Sequence, residues 1–235
     1  MIGLQNKQIY VSEESDCSYL PGRQRRDIFT DTDELDSVDL EYAQEIGFRR
    51  SGDIIYRPAC DGCVACEPTR VRVESFKPSK SQRRNVKKNS ELEYEWKDFE
   101  MTSEQHDLYQ RYQKEQHDGG MMGSLVEVHK MFENKSFEVK NLEFYLMGKL
   151  IGVSIIDVLP NALSSVYFYF SPEMKVRGLG VYSALVEINE CQKMNKEFWY
   201  IGYTIDGCKS MNYKSNYKPQ ERLGEDGWKP LDLKG

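Results

Sequence analysis

The fold is decided by residues 142–203, which read LEFYLMGKLIGVSIIDVLPNALSSVYFYF (142–170), then RGLGVYSALVEINECQKM (177–194) and FWYIGY (198–203). Two long apolar runs on either side of the Gly-Lys turn at 148–149 predict a hairpin of largely buried strands, and SSVYFYF predicts a third strand. The Gly-Leu-Gly turn opens an amphipathic helix, and FWYIGY follows as a short buried strand. This pattern predicts an α+β fold.

The order of antiparallel strands, a glycine turn into a helix, a further strand and a last helix is that of a GNAT-like acyltransferase domain, by analogy at the level of the fold. We therefore predict such a domain over residues 101–235. A smaller N-terminal α/β region, residues 1–100, is predicted to carry a cysteine cluster and a basic segment. DGCKSMNYKSNYKP (206–219) predicts a last helix, which Pro219 ends.

Helix starts outside this stretch are marked by residues that cap helix N-termini. They are Ser37, before a helix that ends near Ile46, and the capping-box pairs Ser79–Gln82 and Thr102–Gln105. Alternating apolar residues predict short strands at 53–56, 69–76 and 92–96.

The composition excludes a disordered chain, because 39% of the residues are apolar and 30% are charged, which is enough for a packed core. No apolar run reaches the roughly 18 residues that a membrane span needs. The N-terminus MIGLQNKQIY has neither the charged nor the apolar region of a secretory signal. We therefore expect a cytoplasmic protein with no membrane partner.

The net charge of −6 conceals a segregation of acidic and basic residues. Residues 27–45 contain eight acids and no base, whereas residues 70–88 contain eight bases and one acid. Arg83, Arg84 and Lys87 fall on adjacent stripes of the predicted helix, a geometry that can follow a phosphate backbone. The alternative is a solvated helix face, which is the usual meaning of a charge run.

Two further features are typical of RNA or anion binding. Arg23, Arg25 and Arg26 stand near Tyr19, and unpaired RNA ends commonly stack on aromatic side chains with Arg nearby. Arg177 begins the turn RGLG before a helix, where backbone N–H groups can meet a phosphate or carboxylate. Glycines that only let the chain turn into a helix are the more common explanation of that turn.

Cysteine spacing indicates a metal site or a group of free thiols. Cys60, Cys63 and Cys66 form a C-x2-C-x2-C pattern, and Cys17 lies far upstream. This arrangement resembles iron–sulfur ligation more than a zinc finger, which usually offers two separated pairs. The alternative is that these residues are free thiols in a reduced compartment, some of them simply buried.

No nucleophilic triad can be read from the sequence. Asp157, at the end of an apolar strand, can orient an amine, although a strand-end Asp is more often a turn residue. The three His are expected to be structural or exposed.

Several long motifs, in order along nearly the whole chain, resemble the aminoacyl-tRNA–protein transferases, and in particular the short bacterial aspartate/glutamate leucyltransferases related to the eukaryotic arginyltransferases. The motifs are CSYLPGRQRR (17–26), GFRRSG (47–52), YRPACDGCVACEPTRVRV (56–73), FKPSKSQRR (76–84), LSSVYFYFSP (163–172), RGLGVYSAL (177–185) and YIGYTIDGCKSMNYK (200–214).

The resemblance implies a charged tRNA as donor, acceptor proteins with N-terminal Asp or Glu, and leucyl transfer that marks the acceptor for degradation by the N-end rule pathway. It implies an iron–sulfur cluster or zinc at Cys17, Cys60, Cys63 and Cys66, although the transfer chemistry itself requires no cofactor. The residues it points to as catalytic are Asp157, Tyr203 and Tyr213. Those it points to as binding substrate or tRNA are Arg23, Arg83, Arg84, Lys87, Arg177, Tyr200 and Lys209.

The expected chemistry needs no triad, because an aminoacyl ester is already activated and an α-amine with a pKa of about 7.7–8.0 is partly neutral at cytosolic pH. Holding amine and ester in attack geometry can supply roughly 7–11 kcal/mol. An acidic acceptor residue also requires a cation that binds its carboxylate. Arg83 or Arg84 is a candidate, through a bidentate contact. The same arginines are candidates for phosphate binding, so the two roles compete.

Other functions stay open at this stage. The same residues are compatible with arginyl transfer from tRNA, with a GNAT acyltransferase that uses acyl-CoA, and with a cysteine–metal module that binds RNA without catalysis. The donor that the protein uses distinguishes arginyl transfer from an acyl-CoA transferase. A module that only binds RNA would bind tRNA without any catalytic turnover.

Overall fold

The computed structural model describes residues 2–117 and 119–231. The helices are α1 (Ile2–Gln5), α2 (Ser37–Glu45), α3 (Lys80–Lys88), α4 (Ser103–Gln116), α5 (Leu125–Phe132) and α6 (Leu179–Lys193). The strands are β1 (Tyr10–Val11), β2 (Ser15–Asp16), β3 (Gln24–Arg25), β4 (Asp27–Asp31), β5 (Arg49–Ser51), β6 (Ile54–Pro58), β7 (Glu67–Arg72), β8 (Glu93–Asp98), β9 (Val139–Leu146), β10 (Lys149–Val158), β11 (Ala162–Phe170), β12 (Phe198–Thr204), β13 (Gln220–Gly224) and β14 (Gly227–Pro230). Short 3-10 helices cover Val73–Ser75, Pro172–Arg177 and Asn212–Asn216. Every helix among these described residues is too short or too polar to traverse a bilayer.

An eight-stranded sheet in the order β14-β13-β7-β12-β11-β10-β9-β8 forms the centre of the molecule. Strands β8 to β11 pair with their neighbours antiparallel, while β12 lies parallel to β11 after the crossover through α6. A parallel pair needs such a crossover, and the helix supplies it. This topology confirms the predicted α+β class and, of the GNAT-like order, the antiparallel strands, the glycine turn into α6 and the strand β12.

A smaller four-stranded sheet, β1-β4-β6-β5, and the β2–β3 hairpin lie in the N-terminal part. Strands β7 and β8 also come from the first hundred residues but belong to the large sheet. The two sheets therefore share a core, in which Leu40, Ile55 and Phe48 of the N-terminal part pack with Phe198 and Tyr200 of β12. The predicted boundary between an N-terminal region, 1–100, and a transferase domain, 101–235, stays a prediction.

Local capping chemistry explains where the helices begin. Ser79 caps α3 and Thr102 caps α4, each through the reciprocal capping box that the sequence predicts. The predicted cap of α2 was wrong by one residue. Asp36 is the N-cap, because its Oδ1 accepts from the backbone N–H of Val38 at 2.8 Å and of Asp39 at 2.9 Å.

The predicted last helix over 206–219 is wrong. Only Asn212–Asn216 is helical, as a 3-10 turn, and the chain then forms the β13–β14 hairpin, which pairs with β7. The physical reason is tertiary: Tyr217 is 1% exposed and packs edge-on against Trp199 at 5.3 Å, which pulls the chain out of a regular helix. Helix α5, which Ser124 caps with Glu127, was missed.

Candidate active site

A cleft opens in the large sheet where β11 and β12 separate. The two parallel strands pair only from Ala162 to Ser164 and from Phe198 to Tyr200. Beyond that point each strand carries an extra residue opposite its other neighbour, Val166 in β11 and Ile201 in β12. Such bulges bend a strand and end its pairing, so they turn the two strands away from each other.

One half of the cleft, the apolar half, has a volume of about 530 Å³. Its walls come from β11, from the start of α6 and from β12. The side chains that make it apolar are Phe168, Phe170, Leu179, Val181, Ala184 and Trp199. Gly178, with φ at +66°, and Gly180 lie at its rim, where α6 begins. Apolar pockets with few polar groups are the usual form of a small-molecule site.

Glu187 is the one carboxyl group among the residues that line the apolar half. It is buried, and its Oε1 accepts from Ser154 Oγ at 2.6 Å and Ser183 Oγ at 3.0 Å, while Oε2 accepts from Trp199 Nε1 at 2.8 Å. Burial raises the pKa of Glu187 above its ordinary value, against the opposing effect of these hydrogen bonds. The group is therefore satisfied within the protein and biased toward its neutral form.

The other half, the cationic half, has a volume of about 470 Å³ and shares a wall with the first. The shared residues are His117, Ser165, Val166, Tyr167, Ile201, Ser210, Tyr213 and Lys214. Arg49 and Arg50 of β5 line only the cationic half, together with Tyr19 and Tyr56. An elongated site with two chemically different ends can hold two different reactants against a common wall.

Arg49 is a buried cation held by neutral groups. Its Nη1 donates to Gln44 Oε1 at 3.2 Å and its Nη2 donates to the Ser165 carbonyl at 2.7 Å. Among the described residues no carboxylate lies within ion-pair distance of Arg49. The guanidinium has five N–H donors, so it retains capacity for an anionic ligand.

Asp157, which was predicted to be catalytic, is not among the residues that line either half of the cleft, although its partner Arg50 is. Arg50 donates to both of its carboxylate oxygens, with Nη2 at 2.7 Å from Oδ1 and Nε at 3.1 Å from Oδ2. The two side chains are 0% and 1% exposed. Asp157 therefore neutralises Arg50 inside the protein, and its catalytic role stays a prediction.

Lys214 occupies the shared wall, and the sequence reasoning missed it. Its Nζ donates to the Tyr203 carbonyl at 2.6 Å. A methyl group on Gly202 would be in ordinary contact with Lys214 Nζ at 3.4 Å and Arg49 Nη2 at 3.8 Å, so both cations face this glycine, whose φ of +92° few other residues adopt. Burial and, next, the charge of Arg49 lower the pKa of Lys214 to about 8. The only sequence signal was its place at the end of the motif 200–214.

Of the predicted tyrosines, Tyr213 and Tyr203 line the cleft, Tyr203 in the cationic half alone, and Tyr200 lines neither half. Tyr213 is half-exposed and lines both halves. The hydroxyl of Tyr203 donates to the Gly47 carbonyl at 2.9 Å, so this residue joins β12 to the N-terminal part. Tyr200 is buried and donates to Glu45, which places it in the shared core and not at a substrate. Lys209 is exposed in the turn after β12, outside both halves.

The basic helix α3 is attached beside the rim of the apolar half. Asn85 Nδ2 donates to the carbonyls of Arg177 and Gly178, both at 3.1 Å. Arg83, Arg84 and Lys87 are exposed on this helix and lie outside both halves of the cleft.

Arg83 and Arg84, the cations predicted to meet the acceptor carboxylate, therefore do not line the cationic half, whereas Arg49 does. The backbone of Arg177 serves as the anchor for α3, and its guanidinium pairs with Glu91 at 2.7 Å.

Comparison with known proteins places the chain in a family. Residues 15–84 match the family model described as arginine-tRNA-protein transferase, N terminus, and residues 104–224 match the one described as its C terminus. The chain belongs to the arginine-tRNA-protein transferase family. It is 39% identical to the aspartate/glutamate leucyltransferase of Pseudomonas fluorescens strain Pf0-1, over 99% of this chain and 100% of that protein. The protein of the same name from Pseudomonas aeruginosa strain LESB58 is 37% identical over 98% and 100%.

Solved structures resemble this transferase distantly. FemX is 7% identical, with a TM-score of 0.46, and the match covers 87% of this chain and 81% of that chain. The C-terminal domain of a putative lysylphosphatidylglycerol synthetase from Agrobacterium fabrum is 11% identical, with a TM-score of 0.47, and covers 71% and 51%. Likenesses this distant carry no argument here.

The four predicted metal-binding cysteines of this transferase are neighbours. Burial and, after it, the nearby Cys60, Cys17 and Cys63 together raise the pKa of the Cys66 thiol to about 11. Cys60 Sγ lies 3.5 Å from the backbone N and O of Arg26, and Cys17 Sγ accepts from Leu20 N at 3.4 Å.

Within residues 2–117 and 119–231 no three His, Cys, Asp or Glu side chains converge on a point where a metal ion would sit. The donor set has the right chemistry for zinc or an iron–sulfur cluster, but the sulfurs as arranged do not surround one. Arg23 is exposed next to these cysteines, in a surface depression that Cys63 and Arg26 also line. Tyr19, in the loop after Cys17, reaches the cationic half of the cleft.

Proposed function

We propose that this protein transfers leucine from leucyl-tRNA to the N-terminal Asp or Glu of acceptor proteins. The observation that carries this proposal is a single cleft with an apolar half and a cationic half that share one wall. Relatives that bear the name aspartate/glutamate leucyltransferase and match nearly the full chain support it.

The apolar half suits the leucyl group of the donor. Val166, Leu179 and Val181 offer an aliphatic side chain van der Waals contact and removal from water, worth about 1.5–3 kcal/mol for a fully buried leucine. Burial raises the pKa of Glu187 and its oxygens are already hydrogen-bonded within the protein, so it offers less to a guanidinium than a free carboxylate would. This favours leucine over arginine as the transferred residue.

The start of α6 and helix α3 suit the 3′ end of the tRNA. The first backbone N–H groups of α6, those that precede Val181 and Tyr182 with their bonds to the Gly178 carbonyl, can meet a phosphate. Arg83, Arg84 and Lys87 project from α3, which Asn85 holds against Gly178. Lys and Arg on such a face bind the phosphate backbone without reading its sequence.

The cationic half suits the acceptor. Arg49 can bind the side-chain carboxylate of an N-terminal Asp or Glu, because a buried guanidinium forms strong charge-assisted hydrogen bonds with a carboxylate. The α-amine of the same residue would then lie toward the shared wall, where the ester carbonyl of the donor arrives from the other side.

Position accounts for most of the catalysis in this scheme. The amine nitrogen forms a bond to the ester carbonyl carbon, and the bond from that carbon to the ribose oxygen breaks. The carbonyl oxygen becomes negatively charged on the way, and donors along the shared wall can stabilise it. No step uses a cofactor.

The test is transfer of labelled leucine from leucyl-tRNA to peptides that differ only in the first residue. We expect label on peptides that begin with Asp or Glu and none on those that begin with Asn or Gln, and little transfer from arginyl-tRNA. Arg49→Met is expected to raise the KM for the peptide, whereas Lys149→Met, at an exposed turn, leaves it unchanged. Absence of label on every peptide contradicts the proposal, and transfer from arginyl-tRNA alone reassigns the donor. Acetyl-CoA is tested as a third donor, because a GNAT acetyltransferase would transfer its acetyl group to the peptide.

We also propose that the cysteine cluster of Cys17, Cys60, Cys63 and Cys66 binds zinc or an iron–sulfur cluster with a structural role. The four thiols lie close enough that each would repel the others as thiolates. A bound metal ion would offset this repulsion with its positive charge. Metal analysis and absorption spectra of protein purified without oxygen test it, with the Cys60→Ser variant as the control; protein free of zinc and iron rejects it.

We propose a cytoplasmic site of action and a role in marking acceptors for degradation. Six free cysteines fit a reducing compartment, which is also where charged tRNA is made. Loss of turnover of a reporter that begins with Asp, in cells without this protein, tests both statements.

A further inference from the structure

We propose that the Nζ of Lys214 is the general base of the transfer: it takes a proton from the attacking α-amine and returns it to the ribose oxygen that leaves. This inference rests on the proposed function. It concerns a residue that is neither Tyr213 nor Lys209, the neighbours that the sequence motif suggested.

The first argument is position. Lys214 lines the apolar half and the cationic half alike, so its amine stands where the two reactants meet. The 3-10 turn Asn212–Asn216 holds the backbone at this point, with Lys214 N donating to the Met211 carbonyl at 3.0 Å. Gln220 Nε2 donates to the Lys214 carbonyl at 2.9 Å, which fixes the turn against β13. Catalytic groups need this kind of support from their surroundings.

The second argument is the hydrogen bond of the amine. Nζ donates to the Tyr203 carbonyl at 2.6 Å. A neutral amine has two N–H groups and one lone pair. When one N–H donates a hydrogen bond to that carbonyl, the lone pair stays free to accept a proton from the attacking nitrogen. A protonated ammonium has three donors and no acceptor, so it is useless as a base.

The third argument is charge. Among the described residues no carboxylate pairs with Lys214, and Arg49 stands across Gly202 from it. Arg50 lines the same half, but Asp157 neutralises it. Other titratable groups on the elements around Lys214 are His117, Glu187, Tyr203, Cys208 and Tyr213.

Burial and Arg49 both favour the neutral amine, and they lower its pKa to about 8, while Cys208 acts weakly in the other direction. A general base works best when its pKa lies near the working pH, and buried lysines reach this range. The amine is neutral above its pKa, so the contribution of Lys214 to the rate is present above about pH 8 and is lost as the pH falls below that value.

The protons and bonds of the step balance. The acceptor enters as a neutral amine, its nitrogen forms the C–N bond, and one N–H proton moves to Lys214 Nζ. The carbon–oxygen bond to the ribose then breaks, and the same proton moves from Nζ to that oxygen. Lys214 ends the cycle neutral, and no other reactant is consumed.

The experiment compares the single-turnover rate of leucyl transfer in wild type, Lys214→Met and Lys214→Arg, with saturating leucyl-tRNA and an Asp-initiated peptide. We expect both variants to lose about 10²- to 10⁴-fold in rate with a nearly unchanged KM for the peptide, and the rise of rate through pH 8 to become shallower, because only the α-amine of the peptide then titrates there. Added small primary amines should partly restore a Lys214→Ala variant.

A variant with normal rate, or one whose loss lies wholly in the KM for the peptide, overturns the inference, because the latter means that Lys214 binds the acceptor carboxylate. A rate loss without rescue and with the wild-type pH profile also overturns it, since that is the signature of a structural role. In each of these outcomes the proposed function is supported as long as the wild-type protein transfers leucine in the same assay. Only a wild-type protein without transfer rejects that function.

If no Lys214 variant folds, acylation of the wild-type protein near pH 8 provides the measurement. The amine of Lys214 should react before the exposed lysines, such as Lys149, and an Asp-initiated peptide should protect it. Reaction of Lys214 no faster than that of Lys149 rejects the inference.

Discussion

Replacing Asp157 by Ala would leave Arg50 as a buried cation without its counter-ion. In the native protein Arg50 is 0% exposed and donates to both oxygens of Asp157. Its remaining Nη1 donates to the carbonyls of Gly52 at 3.1 Å and Phe132 at 3.0 Å, so the guanidinium has little freedom to reach water. Breaking a buried pair by removing one partner costs about 3–5 kcal/mol.

This loss is a large part of the stability of an ordinary domain, about 5–15 kcal/mol. Urea unfolding followed by fluorescence should therefore show a strongly reduced midpoint for Asp157→Ala. The double variant Arg50→Met, Asp157→Leu should recover most of the loss, because apolar residues can replace a buried pair at little cost. Near-normal transfer per folded molecule is expected for the double variant.

A normal urea midpoint together with lost transfer would refute the structural role of Asp157. An Asp157→Ala protein that unfolds at the wild-type urea concentration but has lost transfer would mean that the carboxylate acts on a reactant. The Asp157→Asn variant offers a second measurement, since it keeps the shape and one acceptor and removes only the charge.

Three further outcomes follow from the geometry. Gly178→Ala should lower the free energy of unfolding by about 1–2 kcal/mol, because φ is +66° and the new methyl would lie 2.8 Å from a side-chain nitrogen of α3; Gly224→Ala, which meets nothing within 4 Å, is the control in the same urea titration. Val181→Phe should fill part of the apolar half and raise the KM for leucyl-tRNA but not for the peptide, whereas Val176→Phe, at an 81% exposed position, should change neither. Arg84→Gln should reduce the slope of log affinity for tRNA against log salt by about 1; an unchanged slope places the phosphates elsewhere.

The strands and helices around the cleft were predictable because their signals are local. The apolar runs on either side of Gly148 form the β9–β10 hairpin, and the capping boxes at Ser79 and Thr102 start helices. Each such signal involves residues a few positions apart, which the sequence displays directly. The 206–219 segment shows the limit, because the burial of Tyr217 against Trp199 overrode a helical pattern.

The candidate site was only half predictable. The motifs pointed to Tyr213 and to the basic helix, but they also pointed to Asp157 and Tyr200, which the fold uses to neutralise Arg50 and to build the core. Arg49 and Lys214 stood within quoted motifs without being recognised. Nothing in either motif indicates that one would lie beside the other.

The sequence by itself determined the α+β class, the order of elements around the glycine turn, the position of the basic helix and the family. The tertiary structure alone decided which charges are used up inside and which face the cleft. Arg49 meets the Ser165 carbonyl across 116 residues and stands beside Lys214 through the space that Gly202 leaves. Contacts of this kind depend on how β5, β11 and β12 are brought together in space, and local patterns of apolar and polar residues carry no information about that distance or about the charge state it sets.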